Sequence, residues 1–155
     1  MSANLATKIE LGLEELSTVR EQLNPFIGRP VDFNMSTIET AAVCAMLHSF
    51  YTEIEKILKL IALDFDRTMP SAESWHRDLL KQMATATDRR PAVMTGDLIE
   101  ALGEFLAFRH LFRGASIVMM RWNKLAPLVA KVDETHLRTR AEVQAFVEFI
   151  SDRAT

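Results

Sequence analysis

Apolar side chains recur along this chain at steps of three and four, the period that gathers them on one side of an α-helix. Leu5, Ile9, Leu13, Leu16, Val19 and Leu23 form the first such stripe, and Asn24-Pro25 ends it, because proline has no N–H to donate and restricts the residue before it. Phe26 to Phe33, with Gly28 and Pro30, reads as a loop. From Ser36 to Leu63 two stripes run together, one through Ile38, Ala42, Ala45 and Ser49, the other through Val43, Leu47, Phe50, Ile54, Ile57 and Ile61. A helix that is apolar on more than one side belongs at the centre of a bundle.

The stretch DFDRTMPSAESWH is a turn, after which Ser71 or Ser74 caps a short helix carrying Trp75, Leu79, Leu80 and Met83. TATDRRPA breaks the chain again. Thr95 reads as the N-cap of a helix through Leu98, Leu102, Phe105, Leu106 and Phe112, with Asp97 where the helix dipole favours an acid. After an irregular piece at Gly114–Arg121, Asn123 caps a last helix with Pro127 in its first turn, and Val143, Phe146, Val147 and Ile150 line its far end. No strand alternation or repeat is present. The expectation is an all-α protein, a bundle of four to five helices in one domain over residues 1–155.

Composition narrows this little. With 48% hydrophobic and 25% charged residues the chain has the balance of a globular domain. One cysteine, Cys44, excludes an internal disulfide and a cysteine-based zinc site, and fits a reducing compartment. The N-terminus lacks the apolar core of a signal peptide and no apolar run is long enough for a bilayer, so no membrane contact and a cytoplasmic location are expected.

Charge distribution says more than the net charge of −3. Between Phe105 and Val132 lie Arg109, Arg113, Arg121, Lys124 and Lys131, and no acid. Arg109 follows Leu102 by seven residues and Phe105 by four, which puts it on the apolar stripe, with Arg113 one turn further and His110 beside it. Either their long stems carry the charges to solvent or to Glu53, Glu55 or Glu104, or the arginines form a groove, at a dimer interface, that holds phosphate.

Four segments, LHSFYTEIEKILKLIA (residues 47–62), PSAESWHRDLLKQM (70–83), RPAVMTGDLIEALGEFLAFRHLFRGA (90–115) and RWNKLAPL (121–128), follow one another in the order and spacing of the HepT-like proteins, which this chain resembles. The most specific parts are Phe50-Tyr51-Thr52, Trp75-His76, and Phe108-Arg109-His110 followed by Arg113. The resemblance implies a HEPN bundle that dimerises, a minimal nucleotidyltransferase antitoxin as partner, and metal-independent cleavage of RNA at the composite groove. No cofactor or metal is implied.

The family's motif reads arginine, four residues, histidine, one residue, tyrosine. Counted from Arg109, this chain has Gly114 and Ser116 at the last two places. The candidate catalytic set is therefore Arg109, His110 and Arg113, with His110 standing in one turn back, and Arg121 and Lys124 are candidate RNA contacts. The alternative is a catalytically weakened bundle that binds a nucleotidyltransferase or RNA without cutting.

Other features point elsewhere. Glu73 and His76 have the spacing of di-iron bundles, but one copy is too few for such a site. Met119-Met120 reads as core or as a contact surface, His48 as a satisfied core group, and His136 as solvent-facing.

Overall fold

The computed structural model describes residues 2–114 and 116–154, and every described element is helical. Helix α1 spans Ser2–Gln22 and α2 spans Thr37–Leu60, with a 3-10 turn, Asn24–Phe26, between them. A single π-helical turn, Ile61–Asp66, extends α2. Helix α3 is Trp75–Ala84 and α4 is Gly96–Gly114. A second 3-10 turn, Ile117–Met119, leads to α5, Trp122–Val129, and α6, Val132–Asp152. Ala115, inside the stretch expected to be irregular, lies outside the described residues.

Helix α2 is the central element: α1, α3, α4 and α5 all pack on it, and α6 closes the bundle against α1 and α4. Its start is set by a full capping box. The Ser36 hydroxyl accepts from the Glu39 N–H, and the Glu39 carboxylate accepts from the Ser36 N–H, which satisfies two otherwise orphaned donors. Val43, Leu47, Phe50, Ile54, Ile57 and Ile61 are fully buried. The other expected stripe behaves differently: Ile38 is 83% exposed, while Ala42, Ala45 and Ser49 are half-buried. Small side chains there cover little area.

The first stripe lies against α2 as its spacing predicts, with Leu5, Ile9, Leu13, Leu16 and Leu23 buried. Gly12 permits the approach. A Cβ built on it would stand 2.8 Å from Cγ1 of buried Ile57.

Four expectations about local structure are corrected. The last helix is two: α5 begins at Trp122, one residue before the expected cap, and the chain turns at Ala130–Lys131 before α6 begins. Pro127 sits inside α5 rather than in its first turn, which its missing N–H makes costly in a long helix and tolerable in one of two turns. Ser74 does occupy the N-cap of α3, but its hydroxyl donates to Asp78 (2.8 Å) and caps no backbone N–H. His136, expected in solvent, is buried between α6 and α1, 3.1 Å from the Ser17 hydroxyl. It falls on the α6 stripe with Val132, Thr139 and Val143.

The loop after α3 is held from within. Arg90, 2% exposed, donates to both oxygens of Asp66 (2.6 and 2.7 Å) and to the carbonyls of Gln82, Thr85 and Pro91. Burial alone would raise the Asp66 pKa, but hydrogen bonds from Arg90 and Gln82 outweigh it and hold the carboxyl below its ordinary range. This clip joins the end of the α2 π turn to the segment that feeds α4, and so fixes α3 between them.

Among the described residues, no helix is long and apolar enough to cross a membrane.

Candidate functional site

Helices α2, α3 and α4 meet around a charge that a core should not contain. Glu55 lies on α2 among Ile54, Ile57 and Leu58 and is 3% exposed. An ionised carboxylate removed from water requires strong partners. Its partner is His76, the second residue of α3, whose Nδ1 stands 2.6 Å from Glu55 Oε2. With the carboxylate ionised, Nδ1–H is the donor of this bond.

The same ring also meets α4. Arg109 Nη1 lies 3.2 Å from His76 Nε2 and 3.4 Å from Nδ1. The guanidinium is half-buried, and its Nε is sealed from solvent with no hydrogen-bond partner. The imidazole is gripped on its flat side as well: Trp75 stacks on it with ring centroids 3.6 Å apart, and Lys59 Nζ stands 4.5 Å from the Trp75 ring centroid. The His110 ring meets His76 edge-on at 5.9 Å and is itself exposed.

Two more α2 groups border the cluster. The Tyr51 hydroxyl is buried without a partner, and burial, reinforced by the Glu55 carboxylate, pushes its pKa up and keeps the phenol neutral. His48 packs its ring against Phe112 at 5.7 Å, and its Nδ1 is buried and unpartnered. It is therefore not the satisfied core group expected. Burial, then the charges of Arg109 and Arg113, push the His48 pKa down despite an opposing effect of Glu55. Both guanidiniums thus lie close enough to His48 to favour its neutral form.

The candidate residues divide by exposure. Arg109 alone turns inward. Arg113, one turn on, is exposed, as are His110, Leu111 and Gly114, so in the last turn of α4 only the Phe112 side is covered. Gly114 is the final residue of α4 and Ser116 is exposed just beyond. Positive φ at glycine occurs at Gly28, not at Gly114. Arg121 is exposed and spends Nη1 on the carbonyls of Val118 and Met120. Lys124 is exposed on α5. Met119 is exposed while Met120 is buried. The structure thus brings Arg109, His110 and Arg113 together at one end of α4, and places Arg121 and Lys124 on the segment that follows.

Glu55 and His76 were underrated by sequence reasoning. Glu55 figured only as one of three acids an arginine might reach, and His76 only as part of the family resemblance and of a metal spacing with too few copies. The usable signal was a glutamate four residues after Tyr51 on an apolar stripe. Glu73, by contrast, is exposed. Among the described residues, no group of three or more His, Cys, Asp or Glu side chains is placed to hold a metal ion.

The sequence model of one family, described as HepT-like protein, matches residues 42–150, which runs from the second turn of α2 through nearly all of α6. Nothing among the curated proteins or the solved structures matches the chain.

Proposed function

The chain belongs to the HepT-like family, and on that premise we propose that it is the toxin-type member of a toxin–antitoxin pair: a homodimer that binds RNA between facing α4 helices and cuts it without a metal. One observation carries this reading. Arg109 is anchored to the buried Glu55–His76 pair while His110 and Arg113 stand exposed on the adjoining turn. Two guanidiniums and an imidazole on one helix end suit a phosphodiester.

The reaction that fits them is attack by the ribose 2′-oxygen on the adjacent phosphorus. His110 accepts the 2′-hydroxyl proton as the new P–O bond forms, and the bond to the 5′-oxygen breaks. That leaving oxygen takes up a proton, so the products are a 2′,3′-cyclic phosphate end and a free 5′-hydroxyl. Arg109 and Arg113 stabilise charge on the phosphoryl oxygens throughout. Arg121 and Lys124 extend the contact along the strand. The nucleotidyltransferase antitoxin is the partner that holds the activity in check, and the pair acts in the cytoplasm.

Gly114 and Ser116, where the family's motif has histidine and tyrosine, favour a second reading: a bundle of the same fold that binds RNA or the nucleotidyltransferase and does not cut. Incubation of the purified protein with total RNA, with and without chelator, separates the two. Chelator-resistant cleavage that disappears in Arg109→Ala supports the nuclease. Cleavage that arises only when Gly114→His and Ser116→Tyr are introduced together assigns the natural chain to the binding role. Sedimentation that finds only monomer at micromolar concentration removes the shared groove from both readings.

A further inference from the structure

We infer that His48 is a second catalytic histidine, the imidazole on α2 that hands a proton to the 5′-oxygen as it leaves, across the Arg109–Arg113 row from His110. The inference rests on the nuclease reading above. It supplies what that reading lacks: a source for the proton that the leaving oxygen takes up.

Direction decides first. In a displacement at phosphorus the attacking and leaving oxygens stand roughly in line on opposite sides. A proton acceptor for the 2′-hydroxyl and a proton donor for the 5′-oxygen must therefore reach the phosphate from opposite sides, and within one concerted step a single imidazole cannot do both.

Both sides of the arginine row carry an imidazole. Counted from Arg109, His110 is one residue on, a rotation of about 100° around the helix axis, while Phe112 is three on and falls about 60° the other way. Arg113 projects between them. His110 lies toward α3, its ring edge-on to His76 at 5.9 Å. Phe112 lies toward α2, where the His48 ring meets it at 5.7 Å. One imidazole thus comes from the motif helix itself and the other from the central helix.

The surroundings of His48 suit a donor that is charged by its own substrate. The ring is half-buried and its Nδ1 is shut from solvent without a partner, so Nε2 is the nitrogen left to meet a ligand. The charges that act on it are Arg109 and Arg113 on α4, which disfavour the imidazolium, and Glu55 on its own helix, which favours it; among the described residues none comes from α1, α3 or α5. Before RNA binds, burial and the two guanidiniums keep the ring neutral. A phosphodiester seated on those arginines brings a negative charge to the same corner, offsets their repulsion and lets the ring take a proton from water.

The step then balances. His110 takes the 2′-hydroxyl proton and the bond from the 2′-oxygen to phosphorus forms. The bond from phosphorus to the 5′-oxygen breaks, and that oxygen leaves with the bonding pair and the His48 proton. His48 ends neutral and His110 charged, and exchange with water restores both.

RNA with sulfur in place of one bridging 5′-oxygen isolates the donor, because a thiolate is a far weaker base than an alkoxide and leaves without a proton. His48→Gln is expected to slow cleavage of all-oxygen RNA by about a hundredfold or more, and cleavage at the sulfur linkage by less than about threefold. His110→Gln should slow both alike, since each still needs its 2′-proton removed. Thermal midpoints report folding. In the natural chain, the His48 ring is titrated by NMR with and without an excess of 2′-O-methyl RNA, which presents phosphodiesters and cannot be cut by 2′-hydroxyl attack. The bound ring should hold its proton about tenfold more tightly.

Equal losses on the two substrates at an unchanged midpoint would make His48 a structural or binding group and overturn the inference, as would undiminished cleavage of all-oxygen RNA by His48→Gln. A His48 titration that does not move in the presence of the uncleavable RNA overturns it too, and that readout stands even where the variant fails to fold. A natural chain that cuts neither substrate defeats the nuclease reading itself, and the inference with it.

Discussion

Asp66→Ala strips the carboxylate from a guanidinium that has no route to water. The Arg90 side chain is 0% exposed, so once Asp66 is gone its charge stays inside and unpaired. Removing one member of a buried ion pair costs about 3–5 kcal/mol. Arg90 loses its two bonds to Asp66 but keeps those to the carbonyls of Gln82, Thr85 and Pro91, which places the loss near the lower end, ~3 kcal/mol. For a domain of this size each kcal/mol lowers the midpoint by roughly 2–4 °C, so a drop of about 6–12 °C is expected. Thermal unfolding followed by circular dichroism at neutral pH reads it directly.

Acid gives an internal control. The Asp66 pKa is depressed in the fold, so its stabilisation is complete above its ordinary value of 3.8 and is lost as pH falls below it. The gap between natural and Asp66→Ala protein should hold constant from neutrality down to that pH and then narrow. A second control is Asp66→Ala combined with Arg90→Met, which removes the stranded charge and should recover part of the midpoint. A drop under about 2 °C for the single variant, or a double variant worse than the single, would refute the reasoning that an unpaired buried cation sets the cost.

Other consequences are checked by simpler measurements. Gly12→Ala forces a Cβ to 2.8 Å from Ile57 Cγ1, and overpacking of about 1–3 kcal/mol should outweigh the ~1 kcal/mol gain in helix propensity; urea midpoints should fall, and the loss should vanish in an Ile57→Ala background. Burial, together with Arg140 and Arg20, lowers the His136 pKa below 6.5, so the fold loses stability as pH falls below that value, and His136→Gln should flatten the decline measured down to about pH 5. Ser36→Ala removes one side of the α2 capping box and should cost about 1 kcal/mol in denaturant titrations.

Much of the scaffold was legible in the sequence because it depends on local period. The stripes of α1, α2 and the far end of α6 are set by neighbours three and four residues apart. What escaped depends on partners distant in the chain. The Arg90–Asp66 clip joins residues 24 apart and Glu55–His76 joins residues 21 apart, so no window of sequence holds both members. Pro127 misled for a related reason: proline marks a first turn on average, but α5 is short enough to carry it inside. His136 reads as polar, yet the α6 stripe passes through it. The site was half visible. Arg109 lies on its stripe as the spacing says, whereas Arg113 keeps the stripe and loses the cover, because periodicity tells which side a residue is on and not where the neighbouring helix stops.

The extra residue accommodated by the π turn at Ile61–Asp66 has a consequence for how this lineage can change length. Each residue in a helix advances the direction of its side chains by about 100°. A single residue lost from regular helix would therefore swing Asp66 away from Arg90, whereas one lost from the π turn can be absorbed by relaxation to ordinary helix, so within this segment the turn is the place where a deletion does least harm.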